Sequence, residues 1–116
     1  MAISEQIVVV PYDPEWPRRF ETERALLENV LARWLDGGIR HVGSTAIPRI
    51  AAKPIIDIVA GVRDLDEARD AFEPLSEQSY IHDPHRPGVA HHFAKPSRHL
   101  PEITHSLHLT ERGSDL

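Results

Sequence analysis

Three features of the sequence combine residue types that can handle phosphate groups or protons. The residues 43–45 read Gly-Ser-Thr, Asp57 interrupts the apolar run PIIDIVAGV, and seven of the eight histidines lie in the second half of the chain. A glycine-serine turn presents backbone N–H groups and hydroxyls that suit phosphate oxygens. A plain β-turn has the same letters, so this motif leaves both interpretations open.

Asp57 carries the strongest of these signals, because a run of apolar residues rarely contains a carboxylate. Burying that carboxylate costs free energy unless a cation, a metal ion or hydrogen-bond donors compensate for the lost water. One interpretation is a functional site. The other is a structural salt bridge, for which the sequence offers three partners: Lys53, Arg40 and Arg63.

Alternation along β-strands indicates which side chains share a face of a sheet. Residues 89–95 and 103–110 are each predicted as a strand, in which successive side chains point to opposite faces. If Phe93 lies in the core, His91 and His105 point to the core as well. The same alternation then gathers five polar side chains in one cleft: Ser44, Asp57, His92, Ser106 and His108.

The remaining histidines have simpler interpretations. His105 and His108 are three residues apart in a predicted strand and therefore face opposite ways, which argues against a zinc site made of histidines. The adjacent His91 and His92 are separated for the same reason. We expect the other three in this half of the chain to be exposed and inert: His82, His85 and His99.

Helical spacing and turn residues predict the elements that position these groups. Asp13 as N-cap and Pro14 at the first helical position begin a helix over 14–35, which ends at a glycine pair and uses Trp16 and Trp34 as core anchors. A second helix is predicted over 65–77, with Asp64 as its cap and Pro74 ending it near residue 73.

The apolar run 54–62 predicts a central strand covered on both faces, and shorter strands are predicted at 7–10, 39–42 and 80–81. Strands and helices therefore alternate irregularly along the chain. This order predicts an α/β (α+β) domain with a mixed β-sheet.

Composition narrows the class of protein. A chain of 116 residues is one domain, and its net charge of −5 argues against a nonspecific nucleic-acid-binding protein. The absence of cysteine excludes disulfides and thiolate sites. The N-terminal apolar run is too short for a signal peptide or a membrane span, so we expect a cytoplasmic protein without a membrane partner.

Three segments resemble the GrpB family in order and spacing: VVVPYDPEWPRRFETE (8–23), HVGSTAIPRIAAKPIIDI (41–58) and THSLHLTERGS (104–114). The resemblance covers essentially the whole chain. It implies a nucleotidyltransferase-like fold, a mixed β-sheet with helices packed on it. Similar chains usually continue into further helix, so residues 1–116 are expected to be a single domain without the family's C-terminal helical part, and an uncovered sheet face would favour a homo-oligomer.

The resemblance also implies site residues. The nucleotidyltransferase superfamily pairs a glycine-serine turn, here Gly43 and Ser44, with two carboxylates two residues apart on the next strand. Here Val59 takes the second position, so Asp57 would need Glu111 or substrate phosphates to complete a magnesium site. A further departure, outside that strand, is an arginine at position 49, where the family more often has glycine.

Two main hypotheses about function follow, from different classes. The first is a nucleotidyltransferase-like domain, a transferase if active, that binds a nucleotide or other phosphorylated small molecule. Asp57 would hold Mg²⁺, His92 or His108 would act as acid or base, and six residues would bind phosphate: Gly43, Ser44, Thr45, Lys53, Arg49 and Lys95. The second is a non-catalytic nucleotide-binding or regulatory module on the same fold, which Val59 favours. A structural or interaction role is the third.

Overall fold

The structure is a computed structural model that describes residues 9–83, 90–96 and 103–111. Its centre is a five-stranded mixed sheet with the strand order β1-β2-β5-β4-β3. The elements are α1 (Trp16–Val30), β1 (Leu35–Val42), β2 (Ile56–Val62), α2 (Phe72–Glu77), β3 (Ile81–His82), β4 (Ala90–Pro96) and β5 (Ile103–Glu111). Two 3-10 turns, Ser44–Ala46 and Glu67–Ala71, precede β2 and α2. This arrangement confirms the predicted α+β class.

Only β2 and β5 pair in parallel, and the other neighbouring strands are antiparallel. The prediction that the strand within 54–62 is the central one is wrong, because β5 is the middle strand of the sheet. β2 lies next to it, between β1 and β5. The strand predicted at 7–10 is represented by Val10, which forms a single bridge with Ala52, while residues 7 and 8 lie outside the described ranges.

One face of the sheet, which we name the core face, packs against both helices. Apolar side chains from α1, α2 and alternate positions of three strands form one buried cluster that includes Trp16, Phe20, Leu27, Leu75, Ile58, Phe93, Leu107 and Leu109. Each fully buried side chain of this size contributes roughly 1.5–3 kcal/mol to folding. This packing fixes the sheet register and leaves the second face to the polar residues.

The second face, which we name the open face, has no helix against it within the described ranges. Strand register assigns it these residues: Arg40, Val42, Asp57, Val59, Ala90, His92, Ala94, Ser106, His108 and Thr110. The sequence predicted that β2 is covered on both faces; within the described ranges the helices cover its core face only, although Val59 on the open face is also buried. No helix in these ranges is long and apolar enough to span a membrane.

The first helix is shorter than predicted. α1 ends at Val30 rather than residue 35, and the glycine pair belongs to β1, where Gly37 has a φ of 116°. The pairing of Leu35 with Val62 explains the difference, because it draws these residues into the sheet and places an irregularity in β1. At the other end, α1 begins at Trp16 rather than at residue 14, and Glu15 rather than Asp13 is its N-cap. The Asp13 carboxylate accepts the Glu15 N–H at 2.8 Å, just before the helix.

The second helical region begins at Glu67, two residues after the predicted start, as a 3-10 turn that leads into α2, and it ends later than predicted. Asp64 Oδ1 accepts the N–H groups of Asp66 at 2.7 Å and Glu67 at 3.1 Å, which confirms it as the cap. The prediction that Pro74 ends the helix is wrong, since α2 runs to Glu77. Pro74 lies in the first turn of α2, where a backbone N–H has no partner inside the helix and its loss does no harm.

Candidate functional site

The strand register brings the predicted polar side chains together on the open face. Asp57 on β2 is the direct neighbour of Ser106 on β5, and His108 on β5 is the direct neighbour of His92 on β4. Side chains alternate between the two faces along β4 and β5, so His91 and His105 lie on the core face, as predicted. The shared face of Asp57, Ser106, His92 and His108 is therefore confirmed.

Ser106 is the centre of the hydrogen bonds in this group. Its Oγ lies 2.7 Å from His92 Nε2 and 3.4 Å from His108 Nε2. It also hydrogen-bonds with the Asp57 carboxyl group. The two imidazole rings stack with their centroids 4.5 Å apart, because their residues are cross-strand neighbours. Two imidazoles and one carboxylate thus converge on a single hydroxyl.

The glycine-serine turn touches the same carboxylate. Gly43 has φ 77° and ψ −172°, a backbone conformation that is essentially restricted to glycine. A Cβ added there would lie 2.6 Å from Asp57 Oδ2. The exposed Ser44 then begins the 3-10 turn. Glycine is therefore required at this position for two reasons: the backbone conformation excludes other residues, and the Asp57 carboxylate leaves no space for a Cβ.

Burial raises the pKa of Asp57 above its ordinary value. The positive charges of His92 and Lys53 and the hydrogen bond from Ser106 oppose this rise without cancelling it. The structure gives no support to Arg63 as a salt-bridge partner, because its guanidinium contacts Arg33 O and lies 3.7 Å from Glu67 Oε1. A carboxyl group whose pKa is shifted by burial and by nearby charges is a candidate functional group.

Thr45 and Lys95 do not fit their predicted roles in phosphate binding. The Thr45 side chain is buried, and its Oγ1 donates to Ile55 O at 3.0 Å and lies 2.9 Å from His41 Nε2. Its hydroxyl therefore anchors the turn. Lys95 is on the core face, where its Nζ donates to Glu23 Oε2 at 2.8 Å, so the sheet separates it from Asp57.

Arg49 and Lys53 remain as cations beside the turn. Both are exposed in the segment that joins the turn to β2, and the Lys53 charge acts on Asp57. Arg49 has a φ of 70°, in the left-handed region that favours glycine. Glu111 cannot assist Asp57, because it pairs with Val62 at the far end of β2 and accepts the Leu65 N–H at 3.1 Å.

Sequence reasoning missed a charged cluster on the core face. Glu23 is buried on α1 and accepts hydrogen bonds from Tyr80 Oη at 2.6 Å and from Lys95 Nζ at 2.8 Å, with His105 Nε2 3.8 Å away. A signal was present, since position 23 belongs to the apolar stripe of α1, together with Trp16, Phe20, Leu27 and Leu31.

The structure tests the predicted exposure of only one of the three histidines that were expected to be exposed and inert. His82 is exposed, as predicted, although its ring also contacts that of Phe72 with centroids 4.5 Å apart. His85 and His99 lie outside the described residues.

The open-face residues do not fit a magnesium ion well. Mg²⁺ prefers oxygen ligands in octahedral geometry, whereas Asp57 is accompanied here by one hydroxyl, two imidazoles and the apolar Val59. Across residues 9–83, 90–96 and 103–111, no three His, Asp or Glu side chains are arranged to hold a metal ion. We therefore derive no chemical step through a metal.

The fold agrees with comparison to known proteins. The family model described as "GrpB protein" matches residues 6–116. The chain belongs to the GrpB family. The solved structure of the conserved protein GrpB from Enterococcus faecalis has the same fold, with a TM-score of 0.81 at 24% identity over 91% of this chain and 62% of that one.

Curated relatives show closer sequence similarity over shorter stretches. The glutamate-rich protein GrpB of Alkalihalophilus pseudofirmus is 40% identical over 78 residues, which cover 66% of this chain and 44% of the relative. The UPF0157 protein PA4798 of Pseudomonas aeruginosa is 51% identical over 59 residues, 50% of this chain and 24% of the relative. The chain thus spans less than half the length of each of these two relatives.

A dephospho-CoA kinase of Mycobacterium tuberculosis is also similar to this chain. The two sequences are 35% identical over 77 residues, which cover 62% of this chain and 18% of the kinase.

Proposed function

We propose that the open face binds a nucleotide or another phosphorylated small molecule beside Gly43 and Asp57. The observation that carries this proposal is the close approach of the Gly43 backbone to the Asp57 carboxylate. A turn that can present N–H groups to phosphate oxygens thereby lies next to a half-buried carboxylate and two imidazoles.

Each residue of this site has a role that its surroundings permit. Gly43 and Ser44 hold phosphate oxygens, and the exposed Lys53 and Arg49 balance the phosphate charge. His92 or His108 supplies or accepts a proton near Asp57. In an active enzyme this arrangement would serve a nucleotidyltransferase-like transfer. The similarity to a protein named as a dephospho-CoA kinase supports a phosphate-containing ligand.

A non-catalytic nucleotide-binding or regulatory module is the second candidate, and Val59 favours it. This residue lies directly beside His108 on the open face and is 4% exposed, where the superfamily pattern has a second carboxylate. An apolar side chain cannot help to bind a metal ion, so ligand recognition without group transfer would follow.

Thermal unfolding of the full chain with ATP, GTP or pyrophosphate, with and without Mg²⁺, tests both candidates. A ligand at a hundred times its Kd stabilises the folded state by about 2.7 kcal/mol, which raises Tm by several degrees. We expect Asp57→Asn to abolish any Mg²⁺-dependent part of the rise, while Glu21→Gln on the exposed side of α1 leaves it unchanged.

The outcomes separate the candidates clearly. A rise that needs no Mg²⁺ and survives Asp57→Asn indicates the non-catalytic module. No rise with any of the three ligands contradicts the proposal.

Three further expectations stay predictions: the cytoplasmic location, the role of Mg²⁺ and self-association through the open face. Analytical ultracentrifugation tests the last of them. The polar side chains of the open face make this surface better suited to a small polar ligand than to a second copy of the chain.

A further inference from the structure

A chain of side-chain contacts holds the Gly43 turn from the core side of the sheet. Phe20 on α1 stacks on the His41 ring, with centroids 5.0 Å apart and an interplanar angle of 15°. His41 Nε2 lies 2.9 Å from Thr45 Oγ1, which in turn lies 3.0 Å from Ile55 O. We name the three groups joined by these two hydrogen bonds the turn clamp: the His41 ring, the Thr45 hydroxyl and Ile55 O.

The chemistry of the groups in the turn clamp assigns its hydrogens. A carbonyl oxygen can only accept, so the single hydrogen of the Thr45 hydroxyl is donated to Ile55 O. The other contact therefore has His41 Nε2–H as donor and Thr45 Oγ1 as acceptor. Burial lowers the pKa of His41, which favours the neutral ring, and a neutral ring can donate from Nε2 only as the Nε2–H tautomer.

The turn clamp joins the two strands that carry the proposed site. His41 lies on β1 two residues before Gly43, and Ile55 lies two residues before Asp57, where the chain enters β2. The Thr45 hydroxyl is bonded to both of these flanking residues. The clamp therefore fixes the end of β1 against the start of β2, on the opposite side from the approach of Gly43 to Asp57.

Hydrogen bonds inside the turn carry this restraint to its outer side. Ala46 N–H donates to Gly43 O and Ile47 N–H donates to Ser44 O, each at 3.1 Å. The Thr45 side chain is only 1% exposed, whereas the residues just before it, Gly43 and Ser44, are exposed. The turn is thus one hydrogen-bonded unit, which is held by its inward side chain and turns the Gly43 and Ser44 backbone outward.

We propose that His41 and Thr45 are positioning residues that hold the Gly43 turn beside Asp57 in the conformation that binds phosphate. Both side chains lie on the core side and act through the turn rather than on the ligand. A site that is held in its binding conformation loses less entropy when the ligand arrives, and its apparent affinity rises with the populated fraction of that conformation. The inference rests on the proposed function, because the conformation in question is the one that binds phosphate.

Variants of nearly the same shape remove the two hydrogen bonds one at a time. His41→Phe keeps a ring against Phe20 and removes the Nε2–H donor. Thr45→Val keeps the branched side chain and removes the hydroxyl, whereas Thr45→Ser keeps the hydroxyl. Leu75→Val controls for a general loss of stability, because Leu75 is buried on α2, which packs against β3 and the preceding 3-10 turn.

Isothermal titration calorimetry of the full chain with pyrophosphate, below the Tm of every variant, measures the effect on binding. We expect His41→Phe and Thr45→Val each to raise Kd about tenfold, because the loss of one hydrogen bond lowers the populated fraction of the binding conformation. Thr45→Ser should bind like the wild type. Leu75→Val should lower Tm and leave Kd unchanged. A Kd that Thr45→Val does not change would overturn the positioning role.

Nitrogen-15 NMR without ligand tests the turn clamp directly. We expect the His41 ring at about pH 8 to be the Nε2–H tautomer, and an Nδ1–H ring in the wild type would overturn the clamp. Relaxation dispersion of the Gly43 and Ser44 amides should show exchange on the microsecond-to-millisecond timescale in Thr45→Val but not in the wild type or Thr45→Ser. Amides that stay equally free of exchange in Thr45→Val would overturn the restraint on the turn.

The two kinds of failure are distinguishable. A wild-type chain that does not bind pyrophosphate contradicts the proposed function. A wild-type chain that binds pyrophosphate no better than Thr45→Val contradicts the positioning role alone.

Discussion

Glu23 and Asp57 lie on opposite faces of the same sheet, and their surroundings shift their pKa values in opposite directions. Burial raises the pKa of both carboxyl groups. At Glu23, hydrogen bonds from Lys95 and Tyr80 outweigh burial, and its pKa falls below the usual range. At Asp57 burial prevails. The neighbours of Glu23 thus stabilise its ionised form. The surroundings of Asp57 disfavour its ionised form, a cost in folding stability that functional groups often carry.

Replacing Asp57 should not destabilise the protein at neutral pH. Since the folded-state pKa lies above the model value of 3.8, the stability linked to Asp57 is fully present below that value and is lost as pH rises through the folded pKa. Asp57→Asn removes the charge, so its Tm at pH 7 should equal or exceed that of the wild type. Thermal unfolding as a function of pH checks this, and a fall of several degrees would instead indicate a structural ion pair.

Replacing Glu23 should have the opposite effect. Its pKa is lowered, so the stability it contributes is present above the model value of 4.5 and is lost as pH falls through the folded pKa. Glu23→Gln should cost about 2 kcal/mol at pH 7, because it leaves Lys95 without its carboxylate partner. Urea denaturation at pH 7 and pH 4 measures the difference, with the exposed Glu21→Gln as control; equal losses at both pH values would refute it.

Gly43→Ala tests the contact that carries the proposed function. The new Cβ would strain the backbone and displace the Asp57 carboxylate, at a cost of about 1–3 kcal/mol in stability together with loss of the ligand-induced rise in Tm. Gly38→Ala is the matched control, because nothing lies within 4 Å of its added Cβ. If both variants behave alike, the close approach at Gly43 has no special importance.

Arg49→Gly separates the conformation of residue 49 from its charge. Relief of the positive φ should stabilise the fold by up to about 1 kcal/mol, less the entropy that glycine adds to the unfolded chain. Arg49→Ala removes the same charge and keeps the strain. A reduced ligand response in both variants supports Arg49 as a phosphate counter-charge, whereas an undiminished response in both contradicts that role.

Two lysines form a matched pair for a further test. Lys53→Met should weaken the ligand-induced rise in Tm while leaving the unliganded Tm nearly unchanged, since Lys53 is exposed and acts on Asp57 through its charge. Lys95→Met should lower the unliganded Tm and preserve the ligand response, since Lys95 pairs with Glu23 on the other face. Reversed results would place the ligand on the core face.

The open-face site was accessible from sequence because it depends on the alternation of strands. Once Phe93 and Leu107 are assigned to the core, a period of two fixes the faces of His92 and His108. The apolar run around Asp57 likewise identified β2 and the face to which Asp57 belongs. Local chemistry also identified the cap at Asp64, which needs only its own neighbours along the chain.

The errors concern contacts between segments that are distant in sequence. The Thr45 side chain points inward and contacts His41 and Ile55 O. Lys95 shares the face of Phe93 by the same alternation, but its pairing with Glu23 crosses the helix–sheet interface. Neither partnership follows from spacing along one element. The early end of α1 has the same origin, because pairing with β2 overrides the helical tendency of residues 31–35.

The position of β5 determines when the site comes into existence during synthesis. β5 lies between β2 and β4 in the sheet but follows both in the chain. As the polypeptide leaves the ribosome, Asp57 and His92 emerge on strands that share no edge until residues 103–111 insert between them. Until then the facing edges of β2 and β4 are unpaired and prone to pairing with other chains. The insertion of β5 thus assembles the site and pairs both of these edges in the same step.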